Sequence, residues 1–319
     1  MLTTPFTELV GCQIPLQQAG MGVVATPELA AAVADSGAVG MIALPLASPG
    51  VVADTLIGLK SRTAGTFGIN FLIPFLDRDC VEAAASHARI VEFFYGAPEV
   101  SLVELVHQGG ALAAWQVGSE LEARLAVDAG CDFVIAQGTE AGGHVRGTSG
   151  LFMLLAQVLD AVDVPVVAAG GIGTARMMAT ALAAGAAAVR LGTRFLGATE
   201  ADVHAEYLKR LVVAAPEDTV LTEVFSVMWP GAPHRVLRSC VEEATVYPNE
   251  VVGEIVTRDI PTPIPRYSVI CPSRSTTGEI GAMALYAGES VGAVRGEQPA
   301  AEIVREVAEG AEALLRAWR

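Results

Sequence analysis

Residues 165–193 read PVVAAGGIGTARMMATALAAGAAAVRLGT. An apolar run ends in Gly170–Gly171, a helix begins near Thr174, and the next apolar run ends in Gly192–Thr193. Parallel strands buried on both faces read as short continuous apolar runs, and a helix between two of them makes a βα unit. In a (β/α)8 barrel the loops after strands seven and eight commonly hold a phosphate on backbone N–H groups and a helix N-terminus. Glycine permits the close approach and the positive φ that such a cradle needs. These glycines could instead merely turn the chain; their recurrence at consecutive strand ends favours the phosphate reading.

The same rhythm extends upstream. Candidate strands are Ile14–Gln18, Val39–Leu44, Phe67–Leu72, Ile90–Tyr95, Ala111–Val117, Phe133–Gln137, Val164–Ala169 and Ala187–Gly192. Between them, TPELAAAVADSG opens on Thr26, Pro27 and Glu28, a cap, an N1 proline and an acidic first turn. GSELEARLAVDAG has Ser119 as cap and Gly130 as stop. An open doubly wound sheet shares this periodicity. The closed α/β barrel (TIM barrel) is preferred because Gly, Asn, Gln and His cluster just after the strands, where a barrel gathers its loops.

After about Ala215 the pattern breaks. The stretch from Pro216 to Thr277 mixes Pro, Arg and β-branched residues, as in WPGAPHRVLRS and TRDIPTPIPRYS, and reads as a smaller lid or substrate subdomain. The barrel then comprises residues 1–215 and about 278–319. Its C-terminal part is expected to be helical, first GEIGAMALYAG and then the amphipathic PAAEIVREVAEGAEALLRAWR that closes the wall.

Composition supports one large core in this chain of 319 residues: 52% are hydrophobic and 17% charged. The apolar runs break before the roughly 20 residues a membrane span requires. A net charge of −15 repels phosphate backbones and anionic lipid, so neither nucleic acid nor membrane is an expected partner. A small-molecule substrate is, and a homo-oligomer is compatible with the chain. The start, MLTTPFTELVGCQIP, lacks a basic and apolar leader, so a cytoplasmic location is expected. The five cysteines are widely spaced and form no CxxC, offering neither a metal site nor a disulfide framework.

Other strand ends carry polar groups. QGTEAGGHVRG after strand six holds His144, a candidate base or hydrogen-bond donor, or a histidine satisfied by backbone in a tight loop. Asn70 and Gln116 offer donors and an acceptor that suit the mixed edge of an isoalloxazine ring, or could satisfy barrel-end backbone. Met21, in QAGMG, could pack on a flat ring or fill the barrel top. His87, His107, His204 and His234 are read as structural or surface residues. His234, Arg235 and Arg238 could meet a pyrophosphate or an acyl-carrier phosphopantetheine, or form a solvated face, the last preferred.

QQAGMG, GINFL, QGTEAGGH, PVVAAGGI and LGTRFL occur in this order, and the chain resembles the nitronate monooxygenase (2-nitropropane dioxygenase) family over roughly residues 5–215, with ALYAGESVG also similar. Quinone reductases and flavin-dependent enoyl reductases carry nearly the same motifs. The resemblance implies non-covalent FMN. Gly170, Gly171, Gly192 and Thr193 would hold its phosphate, and Gly20, Met21, Gly22, Asn70, Gln116, Gln137 and Gly142 would line the ring. Some members have lysine where Gln116 stands, and an amide favours anionic reduced flavin less. His144 matches the family's active-site histidine. The implied reaction is oxidation of alkyl nitronates by O2 to a carbonyl compound and nitrite, with His144⁺ or a loop N–H balancing the anion. The alternatives are an NAD(P)H-dependent FMN reductase of quinones or enoyl thioesters, and a non-catalytic barrel that binds a phosphorylated ligand.

Overall fold

The computed structural model describes residues 2–257 and 260–318; Arg258 and Asp259 of the expected subdomain, and the two terminal residues, lie outside the described residues. Eight parallel strands form the central sheet: β1 (Leu16–Gln18), β2 (Gly40–Ala43), β3 (Phe67–Leu72), β4 (Ile90–Phe94), β5 (Leu112–Val117), β6 (Phe133–Gln137), β7 (Val166–Ala169) and β8 (Ala188–Leu191). All eight coincide with the apolar runs read from the sequence, trimmed by one or two residues at several ends. They are ordered β1-β8-β7-β6-β5-β4-β3-β2.

Closure falls to the short β1. Its Leu16–Gln18 pair in register with Val189–Leu191 of β8, and Gln17 bridges to Val39 beside β2. Gln18 N donates to Val39 O at 2.9 Å, and the Gln18 Oε1 side-chain oxygen accepts from Met41 N at 2.9 Å. An amide side chain therefore extends the seam where the backbone ladder runs out.

Strand residues alternate between two cores, as the two-residue period demands. Val91, Phe93, Trp115 and Val134 face the surrounding helices. Ile90, Ala114, Phe133 and Ile135 face inward, in a separate cluster completed by Phe6 and Val10. The helix Pro5–Val10 thus plugs the N-terminal end, with Phe6 edge-on to Phe133 at 5.3 Å.

The two expected caps are present, and Thr174 makes a third. Thr26 accepts from Leu29 N, Ser119 from Glu122 N, and Thr174 from Met177 N. The long helix Ala300–Ala317 lies against Ala175–Ala183 so closely that a Cβ on Gly310 would sit 2.6 Å from Ala175 Cβ. Among the described residues, no helix is long and apolar enough to cross a membrane.

Residues 216–277 carry β9 (Thr219–Thr222), β10 (His234–Leu237) and the hairpin β11 (Val251–Thr257) with β12 (Ile260–Pro265). β10 pairs antiparallel with both β9 and the two-residue strand Gly143–His144. The expectation of a helix over GEIGAMALYAG is overturned. Only Ile280–Ala282 make a single 3-10 turn, after which the chain runs extended beside β10, with Tyr286 bridged to Val236 and Leu237 N donating to Leu285 O at 2.9 Å. Met283, Ala284, Leu285 and Ala287 are all buried. An all-buried segment has no polar face to reveal its period, so small apolar residues read as helix where β10 supplies the hydrogen bonds.

This strip reaches the β8 loop where Gly288 N donates to Thr193 Oγ1 at 2.9 Å. A Cβ on Gly142 would sit 2.4 Å from Gly288 N, so the two loops touch through glycine. Gly142→Ala is therefore expected to lose about 1–3 kcal/mol in urea unfolding, the usual cost of overpacking. Gly58→Ala, inside the helix Pro49–Arg62 with open space at its Cβ position, should gain about 0.5–1 kcal/mol.

Candidate active site

Four elements converge at the C-terminal ends of the strands. After β7, Gly170 and Gly171 take φ of 111° and 68°, a backbone that L side chains rarely adopt. Three residues on, Thr174 caps the helix Ala175–Ala183. Register sets Ala169 beside Arg190, so Gly170 comes alongside the end of β8 and its Gly192–Thr193 turn. Thr193 is buried, its hydroxyl accepting from Gly288 N.

The β1 end lies against the β3 and β8 ends. A Cβ on Gly20 would fall 3.1 Å from Asn70 Cβ, and one on Gly192 would fall 3.8 Å from Met21 Sδ. Glycine at position 20 lets the β1 end pack closely on Ile42 O, 3.0 Å from its Cβ position, while a Cβ at Gly192 would make only ordinary contacts with Ala19 and Met21. Gly22 stands apart: its φ of 54° serves the 3-10 turn Gly22–Val24, and nothing lies within 4 Å of its Cβ position. Gly142 is explained by its contact with Gly288 and by Thr193 Oγ1, 2.9 Å from its Cβ position.

Gln137, nine-tenths buried at the end of β6, spends its amide N–H on His144 O at 3.1 Å. Its Oε1 is buried and has no hydrogen-bond partner among the described residues. A buried acceptor left unpaired is costly, and this one calls for an N–H donor from a bound molecule.

His144 lies in an aromatic enclosure. Its ring is stacked on Trp229 at 4.0 Å and 23°, with Tyr95 at 6.0 Å, His234 at 5.3 Å and Tyr286 at 5.6 Å. Phe75 packs edge-on to Trp229 at 5.1 Å. Burial, with His234 as a lesser contributor, pushes the His144 pKa down to about 3. Burial thus disfavours the charged imidazole and weighs against His144⁺ as a counter-charge while the mouth holds no anion. Burial likewise pushes the Tyr95 phenol up to about 12, so its hydroxyl keeps its proton.

His234 was grouped with structural or surface histidines. It is fully buried beside His144, and both its nitrogens are engaged, Nδ1 with Ala232 O at 2.8 Å and Nε2 accepting from Phe225 N at 3.3 Å. The preferred solvated face holds for Arg238, which is exposed, and is corrected for Arg235, which is half-buried. Arg235 donates to Thr139 O at 2.9 Å and Thr219 Oγ1 at 3.1 Å and pairs with Glu289 at 3.3 Å, while Arg238 donates to Thr219 O at 3.4 Å. They brace the loops.

Sequence reasoning missed the layer beneath the mouth. Arg190 is 6% exposed and Glu92 0%, and they form an ion pair joined by Gln17, Gln116 and Asn70. The signal was present: a charge inside an apolar strand, in AAVRLG and IVEFFY, must find a partner. Trp229, Tyr95 and Tyr286 carried no local signal.

Fold and mouth place the chain among TIM-barrel enzymes, which gather their chemistry at the C-terminal ends of the strands. It belongs to the nitronate monooxygenase family, which it matches over residues 3–83 and 77–310, and it is an oxidoreductase of that family. It is 37% identical over 242 residues to a (3aS,4S,5R,7aS)-5-hydroxy-7a-methyl-1-oxo-octahydro-1H-indene-4-carboxyl-CoA dehydrogenase of Mycobacterium tuberculosis, covering 75% of this chain and 67% of that protein. A probable nitronate monooxygenase of Staphylococcus aureus is 28% identical over 268 residues, covering 69% and 75%. The structure of FabK from Thermotoga maritima superposes with a TM-score of 0.82 at 30% identity, covering 100% of this chain and 99% of that one.

The neutral imidazole has a consequence for pH. The folded pKa of about 3 lies below the ordinary 6.5, so the unfolded chain binds the proton first and stability is lost as pH falls between those values. His144 should contribute a slope of up to about 1.4 kcal/mol per pH unit there. In chemical denaturation from pH 7 to 4, His144→Gln should show a shallower decline than the native protein. An equal decline would remove burial of neutral His144 as the cause.

Proposed function

We propose that this chain holds FMN in its mouth and dehydrogenates the CoA thioester of an apolar, ring-bearing acid. The observation that carries the substrate class is the enclosure around His144. Tyr95, Trp229, Phe75 and Tyr286 offer ring faces to an alicyclic body, and none of the rings in contact with His144 is a cation. A small anion would find no cation among these rings, and Arg146, which acts on Tyr95, is already paired with Glu122. The M. tuberculosis relative, named for a bicyclic carboxyl-CoA, agrees with that shape.

The residues present fit FMN. Gly170 and Gly171, with Thr193 and the capped helix start at Thr174, would hold the phosphate. Gly20, Met21 and Gly192 would bed the ring, and the orphaned Gln137 Oε1 would accept from a ring N–H. Bound FMN would supply a two-electron acceptor, which a nicotinamide nucleotide or O2 then reoxidises. The thioester loses two electrons and two protons in this reaction.

We assign proton transfer to His144. No hydrogen bond ties its ring to another described residue, whereas both nitrogens of His234 are committed. Burial depresses its basicity in the empty site, so its work as a base requires that charge developing on the substrate raise that basicity in the complex. The Tyr95 hydroxyl, kept protonated by burial, can donate to the thioester oxygen. Residues 216–277 contribute Trp229 and His234, which gives that region its role in substrate choice.

The second reading, oxidation of alkyl nitronates, is supported by the family match and the S. aureus relative. With His144 neutral, a loop N–H would have to balance the nitronate charge.

Anaerobic FMN-loaded protein, mixed in parallel with a saturated alicyclic acyl-CoA, propionate 3-nitronate, and NADH or NADPH, separates these readings. We expect the acyl-CoA to bleach the flavin absorbance, and His144→Ala to slow that bleaching by about 10²-fold or more. Bleaching by nitronate alone would transfer the assignment to the second reading. Bleaching by nicotinamide alone would reverse the direction to reduction of a quinone or enoyl thioester. Protein that takes up no FMN would refute the cofactor and leave a phosphate-ligand-binding barrel.

A further inference from the structure

We propose that Arg190 and Glu92 are positioning residues whose buried ion pair turns the amides of Gln116 and Asn70, so that the mouth receives one N–H donor and one oxygen acceptor aimed at the bound ring. This rests on the FMN reading above and adds the element that sets how the ring edge is polarised.

The geometry leaves the amides little choice. Arg190 Nη1 lies 2.7 Å from both Glu92 Oε1 and Gln116 Oε1, and Nη2 lies 2.9 Å from Gln17 Oε1 and contacts Glu92 Oε2. A guanidinium only donates, so Gln116 must turn its oxygen inward and its Nε2 away. A carboxylate only accepts, so Asn70, whose Nδ2 donates to Glu92 Oε1 at 2.7 Å, must turn its Oδ1 away. Gln17 satisfies both ions at once, accepting from Arg190 and donating to Glu92 Oε2 at 3.4 Å.

The outward atoms, Gln116 Nε2 and Asn70 Oδ1, have no hydrogen-bond partner among the described residues. Side chains two apart on a strand share a face, so the Arg190 guanidinium sits one layer beneath Gly192. Asn70 Cβ packs against Gly20 at the end of β1, 3.1 Å from its Cβ position. Both free atoms therefore belong to the ring bed. A donor at an electron-rich ring edge favours the reduced form, and an acceptor takes a ring N–H. Flipping either amide would set N–H against guanidinium or oxygen against carboxylate.

The test is a double-variant cycle on the FMN midpoint potential of the full-length FMN-loaded protein, using the native chain, Arg190→Lys, Gln116→Met and the pair. Lysine keeps the charge beside Glu92 but loses the planar fork that reaches Gln116 at the same time. We expect Arg190→Lys and Gln116→Met each to shift the equilibrium about tenfold toward oxidised flavin, about 30 mV for a two-electron couple. Arg190→Lys should add nothing in the Gln116→Met background, because it acts through that amide. Additive shifts would overturn the proposal and leave Arg190 as a distant charge. If Arg190→Lys does not fold, Gln116→Met decides alone: an unchanged potential overturns it. Failure of the native chain to bind FMN overturns this inference together with the proposed function, whereas additive shifts in an FMN-loaded protein overturn this inference only.

Discussion

A guanidinium and a carboxylate inside a barrel are tolerable only as a fully hydrogen-bonded pair, and much of this molecule is arranged around that requirement. Removing either ion from water costs several kcal/mol, and breaking such a pair typically destabilises by about 3–5 kcal/mol. The pair draws polar side chains from five strands: Gln17 from β1, Asn70 from β3, Glu92 from β4, Gln116 from β5 and Arg190 from β8. It therefore spans the β1–β8 side of the closure and the opposite wall at once. Below it lies the apolar plug of Phe6 and Phe133; above it opens the mouth. The core changes from apolar to polar at one layer, and that layer faces the chemistry.

Above the pair, the site is assembled from loops far apart in sequence. His144 is held at both ends of its short strand, by Gln137 on the barrel side and by β10 on the other. Tyr95 and Met228, at φ of 68° and 81°, flank the aromatic enclosure in a conformation that ordinary side chains avoid. Such strain costs about 1–3 kcal/mol each and is sustained where packing over-determines it. Here Tyr95 is fixed by Phe94 and Trp229, and Trp229 by Phe75 and His144. Burial among these rings is what disfavours charge on the imidazole.

The strands were legible because a parallel strand covered by helices is apolar along its whole length, and glycine marks where it stops. The helix starts were legible because Thr26, Ser119 and Thr174 each satisfy an N–H that the helix leaves unpaired. The same logic failed at GEIGAMALYAG. Its backbone partners come from β10, some fifty residues upstream, and no local pattern announces a partner that remote. It failed again at Arg235, whose charge suggested solvent while its donors were claimed by Thr139, Thr219 and Glu289.

By itself the sequence determined the βα repeat, the glycine-bounded ends of strands seven and eight, and the candidacy of His144, Asn70, Gln116 and Gln137. Those follow from local rules: hydrophobic period, cap chemistry, and polar residues where a strand ends. Only the tertiary structure decided that Gln137 keeps one acceptor free, that burial disfavours charge on His144, and that Asn70 gives its N–H to Glu92 while Gln116 gives its oxygen to Arg190. The physical reason is that an amide or an imidazole has no fixed role of its own. Its role is set by which charge, ring or carbonyl lies against its other side, and in this barrel those neighbours arrive from strands and loops tens of residues away.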